Sequence, residues 1–393
     1  MTRRSDRRTP FRVAVWGPGG LGKALIREAI SKPEIDLVGV LCFSDEKDGQ
    51  DAGEYFGYGT AGVRMTKDKE AIFALEPDVI LHATRVSASV DINSEVTGDV
   101  VRMLKSGINV ASAVAYHWLP VHGADFVEKV EAACRGGGTA LYSGGINPGT
   151  LNERWVVGLT GVCTSIDSIT AQDISDISTL PSIDMLVKGI GIGRKPDDVS
   201  QETKNTQGSR CFHETITLTC HTLGMQVERI DYEKGFILAE EDREIPVRKP
   251  DGSTEILEVP SGTVAGRLDR YVAQVDGKPF FTLEEIFFLD ERDSPVETNG
   301  MPYLGTIRIE AKPTSVDARI GLTASALEGK HLTEDGTRPT YNLTAASLIQ
   351  AIPIVCGAKP GIVYPSTFAH YYPDLRDFPS PLIDASSKMA STS

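Results

Sequence analysis

Residues Phe11–Gly22 read FRVAVWGPGGLG, and the fold turns on them. Apolar Val13 and Val15 sit in a short run that ends at Gly17, Gly19 and Gly22, and the helix-compatible KALIREAISK follows at once. Strand, glycine turn and helix in that order make a cradle for a dinucleotide. The first glycine allows the tight turn, the second lets a pyrophosphate approach the backbone, and the third lets helix pack on strand. The helix start contributes N–H groups and the positive end of its dipole. Gly17, Pro18, Gly19, Gly20, Leu21 and Gly22 are therefore the expected phosphate-binding residues.

Downstream the alternation repeats. Ile35–Phe43 (IDLVGVLCF) reads as the second strand. At such a strand end an acid suits a ribose diol, and basic or hydroxyl groups suit a 2′-phosphate. The strand runs into Ser44, Asp45, Glu46 and Lys47, with no acid directly at its end. Ser44 and Lys47 favour NADP, Asp45 leaves NAD open, and Glu46 and Asp48 fit a solvated turn. Gly53–Gly62 is glycine-rich and reads as a loop. Pro77–Val86 is a third strand, with His82, Ala83, Thr84 and Arg85 at its carboxyl end, where α/β sheets collect ligands. A helix fits Ser94–Lys105, a strand Ile108–Val114 and a helix Ala124–Cys134. The strand TALYSGG then runs into the turn GGINPG, Gly144–Gly149. This alternation predicts a doubly wound parallel sheet, the Rossmann architecture.

From Ser165 the pattern changes. SIDSITAQDIS, GTVAGRLDRYVAQV, KPFFTLEEIFFL and LGTIRIEA are β-rich, and Asp251-Gly252 and Asp276-Gly277 are hairpin turns. A helix covers Cys211–Met225, and Glu228–Pro260 reads as a charged, solvated periphery. The fold class expected is α/β: a Rossmann domain plus an α+β domain with a mainly antiparallel sheet, able to carry a substrate wall and a dimer surface together. Thr340–Ala358 reads as a helix that Pro353 bends or ends. The expected division is a disordered arm at 1–10, a dinucleotide domain at 11–150 and a substrate and dimerisation domain at 151–340. A helix and loop at 341–373 return to the first domain, and a loose tail occupies 374–393.

Totals narrow the function. The 393 residues suit two domains, and a net charge of −14 argues against general nucleic-acid binding. No basic run with interleaved aromatics speaks for RNA or DNA. The six cysteines are scattered without a CxxC pair, so neither a disulfide framework nor a zinc site is expected. His213 and His221 share a helix face but lack a third ligand, and no metal is expected. No apolar run reaches the length of a membrane span. The start MTRRSDRRTP lacks the apolar core of a secretory signal, so the cytoplasm is the default.

Several of these stretches together resemble a known family, the 2,4-diaminopentanoate dehydrogenases and native amine dehydrogenases with a dihydrodipicolinate reductase-type N-terminal domain. They are GPGGLG, LVGV with DGQDAGEYFG, DVILHATRV, SGINVASAV, GGINPG and TAASLIQAIPIVCGAKPGI. The resemblance implies NAD(P)-dependent hydride transfer to or from a C=N or C=O carbon of a small, fairly apolar ketone, imine or amine, by a homodimer. It also implies that Thr84 and the backbone of His82 and Arg85 line the cofactor, and Ala83 between them is counted with the cofactor-binding residues. Enzymes of this type usually carry a glutamate in the loop after the strand matching INVASAV, where it handles the amine proton. Here that loop reads Ala115-Tyr116-His117-Trp118, without an acid.

The candidate proton-handling groups are then His117, which titrates near neutral pH, and Tyr116, able to polarise a carbonyl oxygen. The bland alternative is a packed aromatic loop, with Trp118 walling an apolar substrate pocket. His82 is either a cofactor contact or a satisfied strand-end histidine, and Arg85 either binds an anion or forms a surface ion pair. Asn147 and Pro148, in the GGINPG turn, are expected at the nicotinamide or substrate, against the plainer reading of a turn asparagine. Asp173 and Asp176 are three apart, so on a strand at most one faces the cleft. Asp173 is the candidate substrate carboxylate able to replace the missing glutamate, a structural role being the alternative. Two other readings stay open: a carbonyl or cyclic-imine reductase that uses no ammonia, and a non-catalytic NADP-binding sensor.

Overall fold

The computed structural model describes residues 9–84, 91–114, 116–178, 180, 182–203, 209–248, 253–323, 326–327, 330–331, 337–367 and 369–374. The expected arm, most of the expected tail, Arg85, Ala115 and the Asp251-Gly252 turn lie wholly or mainly outside them. Strand β1 (Phe11–Trp16) is buried on both faces from Val13 to Trp16, as a central strand of a parallel sheet must be. It leads into helix α1 (Gly20–Ser31), whose Leu25, Ile26 and Ala29 face the core. Strand β2 (Ile35–Leu41), the one-turn α2 (Ala52–Tyr55), β3 (Met65–Thr66) and α3 (Lys69–Ala74) follow. Then come β4 (Val79–His82), α4 (Glu95–Lys105), β5 (Asn109–Ser112), α5 (Ala124–Gly137) and β6 (Ala140–Ser143). The Ser94 hydroxyl caps α4 by accepting the Thr97 N–H at 3.1 Å.

A wide-turned helix, Ile146–Val156, leaves this layer, although Asn147, Pro148 and Gly149 at its start are not helical. The short α6 (Val157–Leu159) continues it into β7 (Ser165–Asp176), followed by α7 (Pro196–Thr203) and α8 (Arg210–Thr222). Strands β8 (Arg229–Leu238), β9 (Arg243–Arg248), β10 (Thr254–Val259), β11 (Val264–Val275), β12 (Lys278–Phe288), β13 (Tyr303–Lys312) and β14 (Val316–Leu322) come next. The two-residue strands β15 (Ala326–Leu327) and β16 (Lys330–His331) precede α9 (Pro339–Gly357) and β17 (Gly361–Val363).

The first sheet is wholly parallel, in the order β17-β6-β5-β4-β1-β2-β3. This is the Rossmann order with one late strand added beyond β6. The second sheet runs β14-β13-β7-β12-β11-β8, antiparallel except for the central β7–β12 pair. Its inner face packs Ile169, Ala171, Tyr271, Leu283 and Ile307 against Leu151 and Val156 of the wide-turned helix and Ile216 of α8. Helix α9 returns to the first sheet, where Ala345, Leu348, Ile349 and Ile352 share a core with Leu25, Ile26 and Ala29.

Four sequence expectations change. Pro77–Val86 contains the fourth strand, because Met65–Thr66 forms a strand too short to show a period. Gly53–Gly62 is not all loop: Asp51 accepts the N–H groups of Gly53 and Glu54 and so caps α2. Glu228–Pro260 is more than a solvated face, since it supplies the edge strand β8 and the β9–β10 hairpin. Val247, Leu257 and Val259 of that hairpin are buried against Leu186, Ile190 and Ile192. Pro353 does not end α9, which runs on to Gly357.

The glycines of the opening turn differ in kind. A Cβ on Gly22 would stand 2.2 Å from the Gly17 carbonyl oxygen, whereas one on Gly19 would meet nothing within 4 Å. Gly22→Ala is therefore expected to lower stability by at least about 1–3 kcal/mol. Gly19→Ala leaves stability unchanged and weakens nucleotide binding by filling the space above the turn. Urea unfolding and fluorescence titration with NADPH check the two effects separately.

Candidate active site

The phosphate cradle is built from backbone. Gly17 holds φ +102°, and a Cβ there would meet the Ala83 carbonyl oxygen at 2.8 Å. Gly17 and Pro18 are buried, Leu21 is half-buried, and Gly19 and Gly20 are exposed. No side chain caps the start of α1 at Gly19, so the helix end faces open space. Beyond β2 the Ser44 hydroxyl is buried with no hydrogen-bond partner. The Lys47 ammonium lies over the Tyr55 ring, 5.8 Å from its centre, and 4.0 Å from Glu46 Oε1. Asp45, the acid that would hold a diol, is engaged by Lys67 at 2.5 Å.

At the end of β4 the His82 ring is fully buried, with Nδ1 3.1 Å from Ser112 Oγ and Nε2 3.1 Å from Thr84 Oγ1. Burial pushes its pKa down to about 3, so the imidazole is neutral. It is a satisfied strand-end histidine, and its neighbours Ala83 and Thr84 are the residues that meet the glycine turn.

The loop after β5 separates its aromatic residues. Tyr116 has φ +98°, outside the usual range of a bulky residue. Its phenol is turned inward, bonded to Thr97 Oγ1 at 3.1 Å and packed edge-on against Phe126. The expectation that Tyr116 polarises a carbonyl is thereby corrected: the reversed backbone sends its ring into the core. His117 points the other way, towards the end of β6 and the GGINPG turn. Its Nε2 is 3.3 Å from Ser143 Oγ, and its Cε1 would lie 4.0 Å from a Cβ on Gly149. Ser143 has one proton and a nearer acceptor, the Val114 carbonyl at 2.8 Å, so His117 Nε2 is the donor to Ser143 Oγ. Burial lowers the His117 pKa, and the charges of Glu153 and Glu214 oppose that shift. The Trp118 ring lies between His221 and Tyr364, at 4.7 and 4.9 Å.

The second sheet ends in a polar cluster beside the GGINPG turn. The β7–β12 register sets Asp173 beside Glu285, and β13 brings the Tyr303 phenol to Asp173. Asp173, Glu285 and Tyr303 are all buried. The Asn147 amide donates to Glu285 and accepts from Asn152 Nδ2 at 3.1 Å. Glu153 accepts the Gly149 N–H at 2.8 Å and the Thr215 hydroxyl. Burial raises the Asp173 pKa to about 6, while Ser175, Asn147 and Tyr303 oppose the shift. Glu285 is pushed well above the carboxylate range, first by burial and then by the charges of Asp173 and Asp269. Arg338 lies close enough to Asp173 for its charge to be felt, and its guanidinium donates to the Asp176 carbonyl at 2.5 Å. Asp176 turns away and accepts the Ser178 N–H at 2.8 Å, so of the two aspartates only Asp173 joins the cluster.

Comparison with known proteins places these features. Residues 11–104 match the family model for the N-terminus of dihydrodipicolinate reductase. Residues 151–315 match the model for the C-terminal domain of 2,4-diaminopentanoate dehydrogenase. An amine dehydrogenase from Streptomyces virginiae is 28% identical over 361 residues, spanning 88% of this chain and 93% of that relative. A 2,4-diaminopentanoate dehydrogenase from Acetoanaerobium sticklandii is 21% identical over 362 residues, spanning 89% and 91%. The chain is thus similar, along most of its length, to amine dehydrogenases and 2,4-diaminopentanoate dehydrogenases. It is an NAD(P)-dependent oxidoreductase. The solved amine dehydrogenase of Mycobacterium smegmatis shares its fold, with a TM-score of 0.71 at 19% identity over 91% of this chain and 95% of that one.

The residues present fit the dinucleotide that such an oxidoreductase uses: an uncapped helix start, open space above Gly19 and an unpartnered Ser44 hydroxyl at the end of β2. Among the described residues no group of His, Cys, Asp and Glu is arranged to hold a metal ion. Sequence reasoning passed over Glu285, Tyr303, Glu153 and Glu214. For two of them a signal existed. In β12, Glu285 shares the parity of the buried Phe281 and Leu283, and in α8 Glu214 shares the buried face of Cys211 and Leu218.

The Asp173 shift has a sign that urea unfolding can read. Between the ordinary carboxyl range and about pH 6, native Asp173 keeps a proton that the unfolded chain has lost. Its contribution to stability therefore falls as pH rises through that window. Asp173→Asn is expected to be more stable than the parent at pH 7, by on the order of 2–3 kcal/mol, with the difference vanishing below about pH 4.

Proposed function

We propose that this oxidoreductase reduces the C=N bond formed between a small, largely apolar ketone and ammonia, or runs that step in reverse, with NADP as the preferred cofactor. The observation that carries this reading is the buried pair Asp173–Glu285 beside Asn147. Two adjacent buried carboxylates repel each other and favour a cation between them. A protonated imine or an ammonium group satisfies that demand, and a neutral ketone does not. The pair thus supplies the carboxylate chemistry that the Tyr116-His117-Trp118 loop lacks.

When bound, the nicotinamide ring gives or takes a hydride at the substrate carbon. Asp173 and Glu285 then hold the nitrogen through its N–H groups, and Asn147 orients Glu285. His117 shuttles the proton, its ring held at Nε2 by Ser143. Trp118 forms an apolar wall. Ser44 and Lys47 support the NADP preference, since the competing acid Asp45 is tied to Lys67. We further infer that 11–150 carries the cofactor, that 151–340 carries the substrate and pairs two copies into a homodimer, and that the enzyme works in the cytoplasm. Among the described residues no helix is long and apolar enough to cross a membrane.

A second reading, reduction of a carbonyl or cyclic imine without ammonia, is favoured by the absence of an acid from the Tyr116–Trp118 stretch. NADPH oxidation with a panel of ketones, with and without ammonia, separates the two. The expected result is turnover only with ammonia, and a loss of about 10²-fold or more in kcat for Asp173→Asn and for His117→Ala. Turnover without ammonia would establish the second reading. Tight NADPH binding with no turnover on any compound would point to a sensor.

The cofactor assignment has its own test. Ser44→Ala and Lys47→Ala are each expected to raise KM for NADPH by about tenfold, the effect of one lost charge-assisted contact, and to leave KM for NADH unchanged.

A further inference from the structure

We propose that Glu214, on α8 of the second domain, is a positioning residue that fixes the main chain on both sides of His117 and so sets where the imidazole stands. The inference rests on the proton-handling reading of His117.

Glu214 lies on the inward face of α8 and its side chain is fully buried. Its Oε2 accepts the N–H of Tyr116 at 3.0 Å and the N–H of Trp118 at 2.9 Å. Its Oε1 stands 2.7 Å from His122 Nε2. One carboxylate thus engages three points of a loop that belongs to the other sheet. The two N–H groups bracket His117 and converge on a single oxygen, an arrangement that suits an anion.

The loop cannot make these bonds internally. With Tyr116 at φ +98°, its N–H and that of Trp118 are directed at α8 and away from the first sheet. Without Glu214 the buried Tyr116 N–H and the half-buried Trp118 N–H would lose this partner. Thr215, the next residue of α8, donates to Glu153, which in turn accepts the Gly149 N–H. Two successive residues of one helix therefore act on the two segments that flank His117, the loop after β5 and the GGINPG turn. Glu214 also acts by charge. It and Glu153, from the wide-turned helix, are the ionisable groups whose fields reach His117, and both oppose the effect of its burial.

The test uses full-length protein with its seven histidines 13C-labelled. The His117 resonance is identified by its loss in His117→Gln. In Glu214→Gln one amide oxygen still meets the two N–H groups but the charge is gone. The His117 signal is expected to shift, and the limb of the kcat–pH profile that reports it to move to lower pH. Expected with this are a fall in kcat of about tenfold and a KM for NADPH within about twofold of the parent value. Glu214→Ala, which also frees the loop, is expected to lose about 10²-fold in kcat. If Glu214→Ala fails to fold, Glu214→Gln decides. An unchanged His117 resonance and pH profile in Glu214→Gln, with only the melting temperature lowered, would overturn the proposal and leave Glu214 as a joint between domains. A shifted His117 resonance together with normal turnover in His117→Gln would uphold the positioning and overturn the catalytic reading of His117.

Discussion

Carboxylates that accept main-chain N–H groups join the two halves of this enzyme. Glu214 of α8 takes the N–H groups of Tyr116 and Trp118 from the loop after β5, while Glu153, within its own helix, takes that of Gly149 and also the Thr215 hydroxyl of α8. Hydrogen bonds to charged groups contribute about 1.5–3 kcal/mol each, more than neutral ones. Removing one member of such a buried set leaves an uncompensated charge or orphaned donors, at a cost of about 3–5 kcal/mol. The cleft is therefore held by contacts that are strong, directional and intolerant of partial loss. Apolar packing alone would let the loop after β5 slide, and a conformation as unusual as that of Tyr116 would relax.

The same chemistry takes two forms a short distance apart. Glu214 and Glu153 are met by amide and hydroxyl donors. Asp173 and Glu285 stand side by side, with Asn147 on Glu285 and with Ser175, Asn147 and Tyr303 around Asp173. Donors satisfy a buried carboxylate, whereas a like neighbour raises its proton affinity, as at Glu285. The first pair is thus suited to holding backbone, and the second to a cationic ligand.

Legibility in the sequence followed the range of the forces involved. The first sheet was legible because glycine turns, helix caps and apolar runs act within a few residues, as at Gly17–Gly22 and Ser94. The two-residue β3 carries too little sequence to show a period. The edge strand β8 was hidden because Arg229, Asp231, Glu233 and Lys234 interrupt it and none of its residues is fully buried, which reads like a loop. The candidate site was only half legible. Asn147, His117 and Asp173 stand in marked turns or strands. Glu285, however, is 138 residues from Asn147, and nothing local announces their meeting. Tyr116 was misjudged because a residue's type does not tell which way a reversed backbone aims it. Charged residues on otherwise buried faces, Glu214 in α8 and Glu285 in β12, were the usable clue.

Helix α9 and strand β17 belong to the first sheet in space but come last in the chain. The Tyr341 ring of α9 stands beside Gly20, and Ala345, Leu348 and Ile352 cover the apolar face of α1. A ribosome, adding about 5–20 residues per second, delivers this cover only after the whole second sheet has emerged. During that interval Leu25, Ile26 and Ala29 lack their final partners. The nucleotide-binding half, although first made, is the last to be finished, and a chain cut short before α9 would display an apolar face to whatever chaperone or neighbour meets it.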